Sequence, residues 1–370
     1  MSKHSFLSLV GVLLFSFIYL SACENPGNSL EESVAPYLEL QAVDGASNVT
    51  MTVNRGAAQG LDSYFAIDFT NFDSNGIVPE GLTEGWCLDY SRPIEQNNDV
   101  HQGVKMFNTH GSEDWKSANY LMNIKDELKQ NDPSLTYKEI QVALWSLIKV
   151  PSFDVDKALS DGTMPSRMMT NGAPNFNVEK TKGIVKKVQA EVNAFTYKPG
   201  TPVIVYSNVS DVKQPVGGVF GETAWAFSPN VDGTVNTDIS KEFCGNNGTH
   251  SNKWGWSNGT FNKGDTATFD IVAGAGNCNI EGRDIVGSIM FNYQADGTLK
   301  YTLSLTVDND FEDLHIHAGE DILPVKSNGN GGFESGYNSF YKRDLDGGTG
   351  TITGDIEDID GTIYIAVHLG

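Results

Sequence analysis

Ile140-Gln141-Val142-Ala143-Leu144-Trp145 reads as the packed flank of a helix, and the segments on either side of it decide the fold. Ile140, Ala143, Leu144 and Leu147 recur at helical spacing over Thr136–Ile148, after the start signal Asp132-Pro133-Ser134. A similar run covers Asp114–Lys129, with Trp115, Ala118, Leu121, Met122 and Ile124. A third covers Asn177–Phe195, with Val178, Val185, Val188 and Val192, and Pro199-Gly200 stops it. Before these helices the pattern is alternation: Tyr37–Val43, Val49–Val53 and Tyr64–Phe69 read as strands, and Val203–Tyr206 returns to strand after them. Helices inserted between strands predict an α+β domain over residues 35–220, a sheet or barrel with a helical insertion.

From about Glu222 the helical period disappears. Strands are expected at Thr266–Val272, Ile285–Tyr293, Leu299–Val307, Leu314–Ala318, Gly350–Ile352 and Thr362–His368, separated by Gly- and Asn-rich turns. Regular short strands with turn signals predict an all-β, sandwich-like domain over residues 221–370.

The 370-residue chain carries 47 acids against 25 bases, a formal charge of −22, which repels phosphate and argues against nucleic-acid partners. No Gly-x-Ser-x-Gly, His-Glu-x-x-His or phosphate loop occurs, so a turnover enzyme is not expected.

The N-terminus reads as an address. Lys3 precedes an uncharged, mostly apolar Phe6–Ala22, which reads as a signal peptide over residues 1–22. Leu20-Ser21-Ala22-Cys23 resembles the bacterial lipobox, which implies that Cys23 receives the lipid and that residues 23–34 form a polar tether. The membrane partner is then met through a lipid anchor rather than a span, at the bacterial cell envelope, on the outer membrane or cell surface. Outside the cytoplasm disulfides persist. With Cys23 assigned to lipid, Cys244 and Cys278 lie close together in one Gly- and Asn-rich region and form the expected disulfide. Cys87 is left over and needs an explanation.

Three motifs supply one: Gly85-Trp86-Cys87-Leu88-Asp89-Tyr90, then Trp115-Lys-Ser-Ala-Asn119-Tyr120-Leu-Met-Asn123, then Gln141-Val-Ala-Leu-Trp145. This order resembles the bacterial thioester-domain family of surface adhesins, over residues 60–220. The resemblance implies that a Gln on a later strand is cross-linked to the Cys. In the segment Val203–Val219 that Gln is Gln214. It implies a site made of Cys87 and Gln214, with Gln141 orienting it and Trp145, Trp86 and Leu88 shielding it from water. A thiolate attacking a carboxamide and expelling ammonia is the chemistry these residue types permit. Lys213 stands where the family has an apolar residue, and Pro215 removes a backbone donor beside Gln214. The other reading is Cys87 as a packed thiol in the same fold.

Trp225-Ala-Phe, Trp254-Gly255-Trp256 and Ala273-Gly-Ala-Gly276-Asn-Cys278 resemble a recurring C-terminal β module of secreted bacterial proteins, to which no activity attaches. Trp254 and Trp256 read either as core or as a stacking platform for a sugar. His315 and His317 share one face of a strand and read as exposed histidines rather than metal ligands. Asp308–Asp313 and Asp355–Gly361 resemble calcium loops loosely, so calcium is the one cofactor left open; no other cofactor and no other metal is expected. Together these readings predict a lipid-anchored surface protein for adhesion or ligand binding. Its ligand would be a surface protein or glycan, held by covalent capture or, in the alternative, non-covalently.

Overall fold

The computed structural model describes residues 39–43, 45–46, 48–71, 77–78, 81–244, 254–323 and 340–370. The expected signal peptide, Cys23 and the tether lie outside the described residues, as do Tyr37 and Leu38 of the first expected strand. Strands β1 (Gln41–Ala42), β2 (Val49–Arg55), β3 (Phe65–Thr70), β4 (Gly81–Cys87) and β5 (Asn97–Asn108) come first. Helices α1 (Lys116–Asn131), α2 (Tyr137–Leu147) and α3 (Val155–Ser160) follow, then the two-residue strands β6 (Met169–Thr170) and β7 (Ala173–Pro174), and α4 (Val178–Glu191). The chain returns to the sheet with β8 (Val203–Asn208) and β9 (Val216–Phe220).

Six of these strands close a barrel in the order β5-β2-β3-β4-β9-β8, with β8 pairing back onto β5. The closure depends on the length of β5. Its first part pairs with β2, and Lys105–Asn108 pair with β8. Alternation along β2 and β3 sends Val49, Met51, Val53, Phe65, Ile67 and Phe69 into the interior, all fully buried. Gly85 of β4 lies across from Phe65, and a Cβ there would come within 2.9 Å of both Phe65 and Ile67. Only glycine lets the large β3 side chains fill that space.

The helices cover one side of the barrel. Asn119 and Asn123 of α1 fix it to the start of β8: Ile204 N–H donates to Asn119 Oδ1 at 2.8 Å, and Asn123 Nδ2 donates to the Pro202 carbonyl at 2.7 Å. Helix α2 begins with a capping box, in which Thr136 and Glu139 satisfy each other's backbone N–H groups. Hydrogen bonds to Glu139 also come from Asn177 N–H, so one buried carboxylate ties the start of α2 to the start of α4.

The sheet changes between Phe220 and Ala224. Strands β10 (Ala224–Phe227), β11 (Ser240–Glu242), β12 (Trp256–Phe261), β13 (Thr266–Ala273), β14 (Ile285–Tyr293), β15 (Leu299–Leu305), β16 (Asp313–Gly319), β17 (Tyr341–Asp344), β18 (Gly350–Ile356) and β19 (Ile363–Leu369) form one antiparallel sheet of ten. β19 is its hub, pairing with β16, β12 and β10. Arg343 of β17 donates to the Thr353 carbonyl of β18 at 2.6 Å and to Tyr301 Oη at 3.3 Å, which brings two ends of the sheet together. The region is all-β and folds back over its own core.

One expectation changes here, and for the two tryptophans the core reading holds over the stacking platform. His315 and His317 are buried, not exposed, because β16 lies between β17 and β19. Nδ1 of His315 faces Nδ1 of His368 at 3.4 Å, and His317 Nε2 meets the Asp321 carbonyl at 2.9 Å. Trp254 and Trp256 are 4% and 0% exposed and pack edge to face beside Trp225, so neither offers a flat ring to solvent. Gly255 between them has φ of 136°, and a Cβ there would strike the Trp225 ring at 2.4 Å. The expected disulfide Cys244–Cys278 is present, with Cα atoms 5.8 Å apart, against this aromatic cluster.

Candidate functional site

Cys87 is the last residue of β4 and Gln214 lies two residues before β9, its antiparallel neighbour. Antiparallel pairing sets the end of one strand beside the start of the next, and this register joins residues 127 positions apart. Val216 is the direct cross-strand partner of Cys87. The Gln214 carboxamide contacts Cys87 Sγ through Nε2, and the same nitrogen donates to the Asp89 carbonyl at 2.7 Å. Both side chains are fully buried.

Gln141 does something different. Its Oε1 accepts from Cys87 N–H and its Nε2 donates to the Cys87 carbonyl, each at 2.9 Å. The reason lies in the strand geometry. Leu88 N–H reaches the Pro215 carbonyl on the β9 side at 3.2 Å, so the alternating Cys87 groups face the β3 side. There β3 offers no partner, because it begins only at Phe65, which pairs with Gly85. The Gln141 carboxamide fills the place of the missing strand and satisfies two backbone groups that would otherwise be buried without partners. One helical turn further on, Trp145 points its indole N–H at Cys87 Sγ, 3.2 Å away.

The expected shield is partly different from the observed one. Trp86 is fully buried but follows the strand's alternation onto the face opposite Cys87, so it does not cover the sulfur. Trp145 does, and it is enclosed by Tyr64, Tyr90 and Phe153 with ring centroids 5.8, 6.2 and 5.5 Å away. Burial, and then the negative charge of Asp89, push the Tyr90 phenol above its ordinary value. It remains a donor, to the Ser152 carbonyl at 3.2 Å. Phe153 carries no motif signal; Tyr90 and Asp89 stand inside the Cys87 motif itself.

The two departures around Gln214 also have a place. Lys213 turns outward and pairs with Glu95, whose carboxyl it holds below the ordinary range. The missing N–H of Pro215 leaves nothing unsatisfied, because the ladder uses its carbonyl, while Gln214 N–H donates to the Pro93 carbonyl at 2.9 Å.

No group of three or more His, Cys, Asp or Glu side chains is arranged to hold a metal ion among the described residues. In the acidic segment 308–313 the Lys198 ammonium lies 3.2 Å from Asp308 and 3.5 Å from Asp310. Compared with known proteins, the chain matches no family model, no curated protein and no solved structure.

Proposed function

We propose that this chain is a lipid-anchored protein of the bacterial cell surface that binds a surface protein or glycan, and that it can hold its ligand covalently through a Cys87–Gln214 thioester. The observation that carries the reading is the contact of the Gln214 carboxamide with Cys87 Sγ, both side chains being fully buried. The motif order that resembles thioester-domain adhesins agrees with it. In forming the bond, sulfur attacks Gln214 Cδ, the Cδ–Nε2 bond breaks, and ammonia leaves with the thiol proton. Trp145 N–H stabilises charge on the sulfur, and Gln141 fixes the Cys87 backbone. The aromatic enclosure keeps water from the product. An amine of the ligand then attacks Cδ, sulfur leaves, and an amide joins ligand to Gln214.

The test is the intact mass of the protein beginning after Cys23. Wild type should be one ammonia lighter than its sequence requires, Cys87→Ala should not, and methylamine should add at Gln214 in wild type alone. A wild-type mass equal to that of the sequence, with a thiol that titrates on denaturation, refutes covalent capture and leaves a non-covalent binder with Cys87 as a packed thiol.

A further inference from the structure

Cys87 and Gln214 are both fully buried, and the segment that follows Cys87 lies against Gln214. Residues Leu88–Pro93 belong to no helix or strand. Leu88 and Asp89 are buried, while Ser91 and Pro93 are exposed. Asp89 turns its carboxylate back along the chain: Oδ1 accepts from Ser91 N–H at 2.9 Å and Ser91 Oγ at 2.6 Å, and Oδ2 accepts from Arg92 Nε at 2.5 Å. Arg92, thus oriented, donates through Nη1 to the Asp211 carbonyl at 3.1 Å. Tyr90 donates to the Ser152 carbonyl and packs on Phe153 at 4.8 Å. The segment is therefore pinned by side chains to two separate loops, one beside Gln214 and one after α2. Its own backbone carbonyls at Asp89 and Pro93 meet the Gln214 side chain and N–H.

We propose that Leu88–Pro93 is a latch over the Cys87–Gln214 site, closed by Arg92 and Tyr90, and that its opening governs how fast amine or water reaches the thioester. The inference rests on the thioester reading above. Arg92 and Tyr90 are positioning residues: Tyr90 bonds to Ser152 and Arg92 to Asp211, and both hold the segment that lies against the site. In the step they gate, the nucleophile's nitrogen or oxygen bonds to Gln214 Cδ and the Cδ–Sγ bond breaks. Sulfur takes the electron pair and the proton that the nucleophile sheds. A latch changes only the open fraction, so loosening it must speed every small nucleophile by one common factor. A change in the chemistry at Cδ would instead alter the ratio between them.

The experiment follows thioester loss by intact mass in water, methylamine and hydroxylamine, for wild type, Arg92→Gln, Arg92→Lys and Tyr90→Phe. Arg92→Gln removes a charge-assisted bond and should raise all three rates about 10- to 100-fold. Arg92→Lys should restore part of the closure. Tyr90→Phe keeps the ring and loses one neutral bond, so it should raise the rates about 2- to 10-fold. Unchanged rates in Arg92→Gln and Tyr90→Phe, on a wild type that carries the thioester, overturn the latch alone; so do rate factors that differ among the nucleophiles. A wild type with no ammonia deficit overturns the thioester reading and the latch with it. If Arg92→Gln lacks a cooperative thermal transition, Tyr90→Phe decides, because its packing is intact.

Discussion

Replacing Gln141 by Leu isolates the contribution of one side chain standing in for a strand. Gln141 spends both ends of its carboxamide on the Cys87 backbone, at 2.9 Å each, and it is fully buried. Leu approximates its volume, so the cavity term is small. The substitution leaves one N–H and one C=O buried where no water reaches them. Each such group costs about 1–3 kcal/mol, so the loss should be about 2–6 kcal/mol. Against a total of about 5–15 kcal/mol for a typical protein, that is a large fraction. Urea unfolding should show a lower midpoint at an unchanged slope. Gln141→Glu keeps an acceptor for the Cys87 N–H but, when ionised, offers no donor to its carbonyl and buries a charge, so it should not rescue. A loss below about 1 kcal/mol in Gln141→Leu would mean the two backbone groups find other partners, and the strand-replacement account would fail.

Three further outcomes are expected. Removing the Cys244–Cys278 link, which closes a separation of 34 residues, should destabilise the C-terminal sheet by about 4 kcal/mol in the chain-entropy estimate, read as a lowered urea midpoint in the double Ala variant. Burial acts to raise the Glu139 carboxyl, but hydrogen bonds from Asn177 and Thr136 outweigh it and hold the group below its ordinary 4.5. Its stabilisation is therefore present above pH 4.5 and lost as pH falls through the lower folded value; Glu139→Gln should flatten that part of the stability profile, and an unchanged acid limb would contradict it. Cys23→Ala should move the protein from the detergent phase to the aqueous phase, and retention in detergent would rule out the lipid anchor.

The sequence made some of this architecture plain and hid the rest for physical reasons. Helices α1, α2 and α4 were legible because apolar residues recur at helical spacing in each, as Ile140, Ala143, Leu144 and Leu147 do in α2, which lies against both the barrel and α4. Ile285–Tyr293 was legible because its alternation is nearly unbroken. β5 was not. Along its 12 residues Val104 and Met106 are the buried apolar positions, Val100 is 57% exposed, and pairing with β2 shifts register near Gly103. The strand that closes the barrel thus has a pattern that does not read as a strand. Motif order singled out Cys87, Gln141 and Trp145, and Gln214 was the glutamine of the later strand segment; the structure brings these four side chains together. Phe153 and Arg92 were not, since an aromatic lid and a side-chain clip follow from loop geometry that no periodicity encodes.

The barrel topology explains why a helical excursion can serve this site without distorting it. β4 and β9 are neighbours in the barrel, so the register between Cys87 and Val216 is fixed by the sheet, whatever lies between them in sequence. The intervening chain leaves at the end of β5 and returns at β8, which also pair with each other. The helices therefore begin and end at one seam. Asn119 pins α1 to that seam through Ile204, and α2 then crosses to β4, where the carboxamide of Gln141 replaces β3. A shift of α2 by one residue would rotate Gln141 about 100° away from Cys87, along with Trp145 on the same face. The capping box at Thr136 and the bond from Asn177 to Glu139 fix that register at the helix start. Glu139 is thus coupled to the sulfur through the stretch of helix that runs from it to Trp145, about 1.7 turns. A Glu139→Ala variant should therefore weaken the Gln141 clamp as well as the cap, and slow exchange of the Cys87 amide proton should be lost with it. Retained protection of that proton would show that Gln141 holds Cys87 without help from the cap.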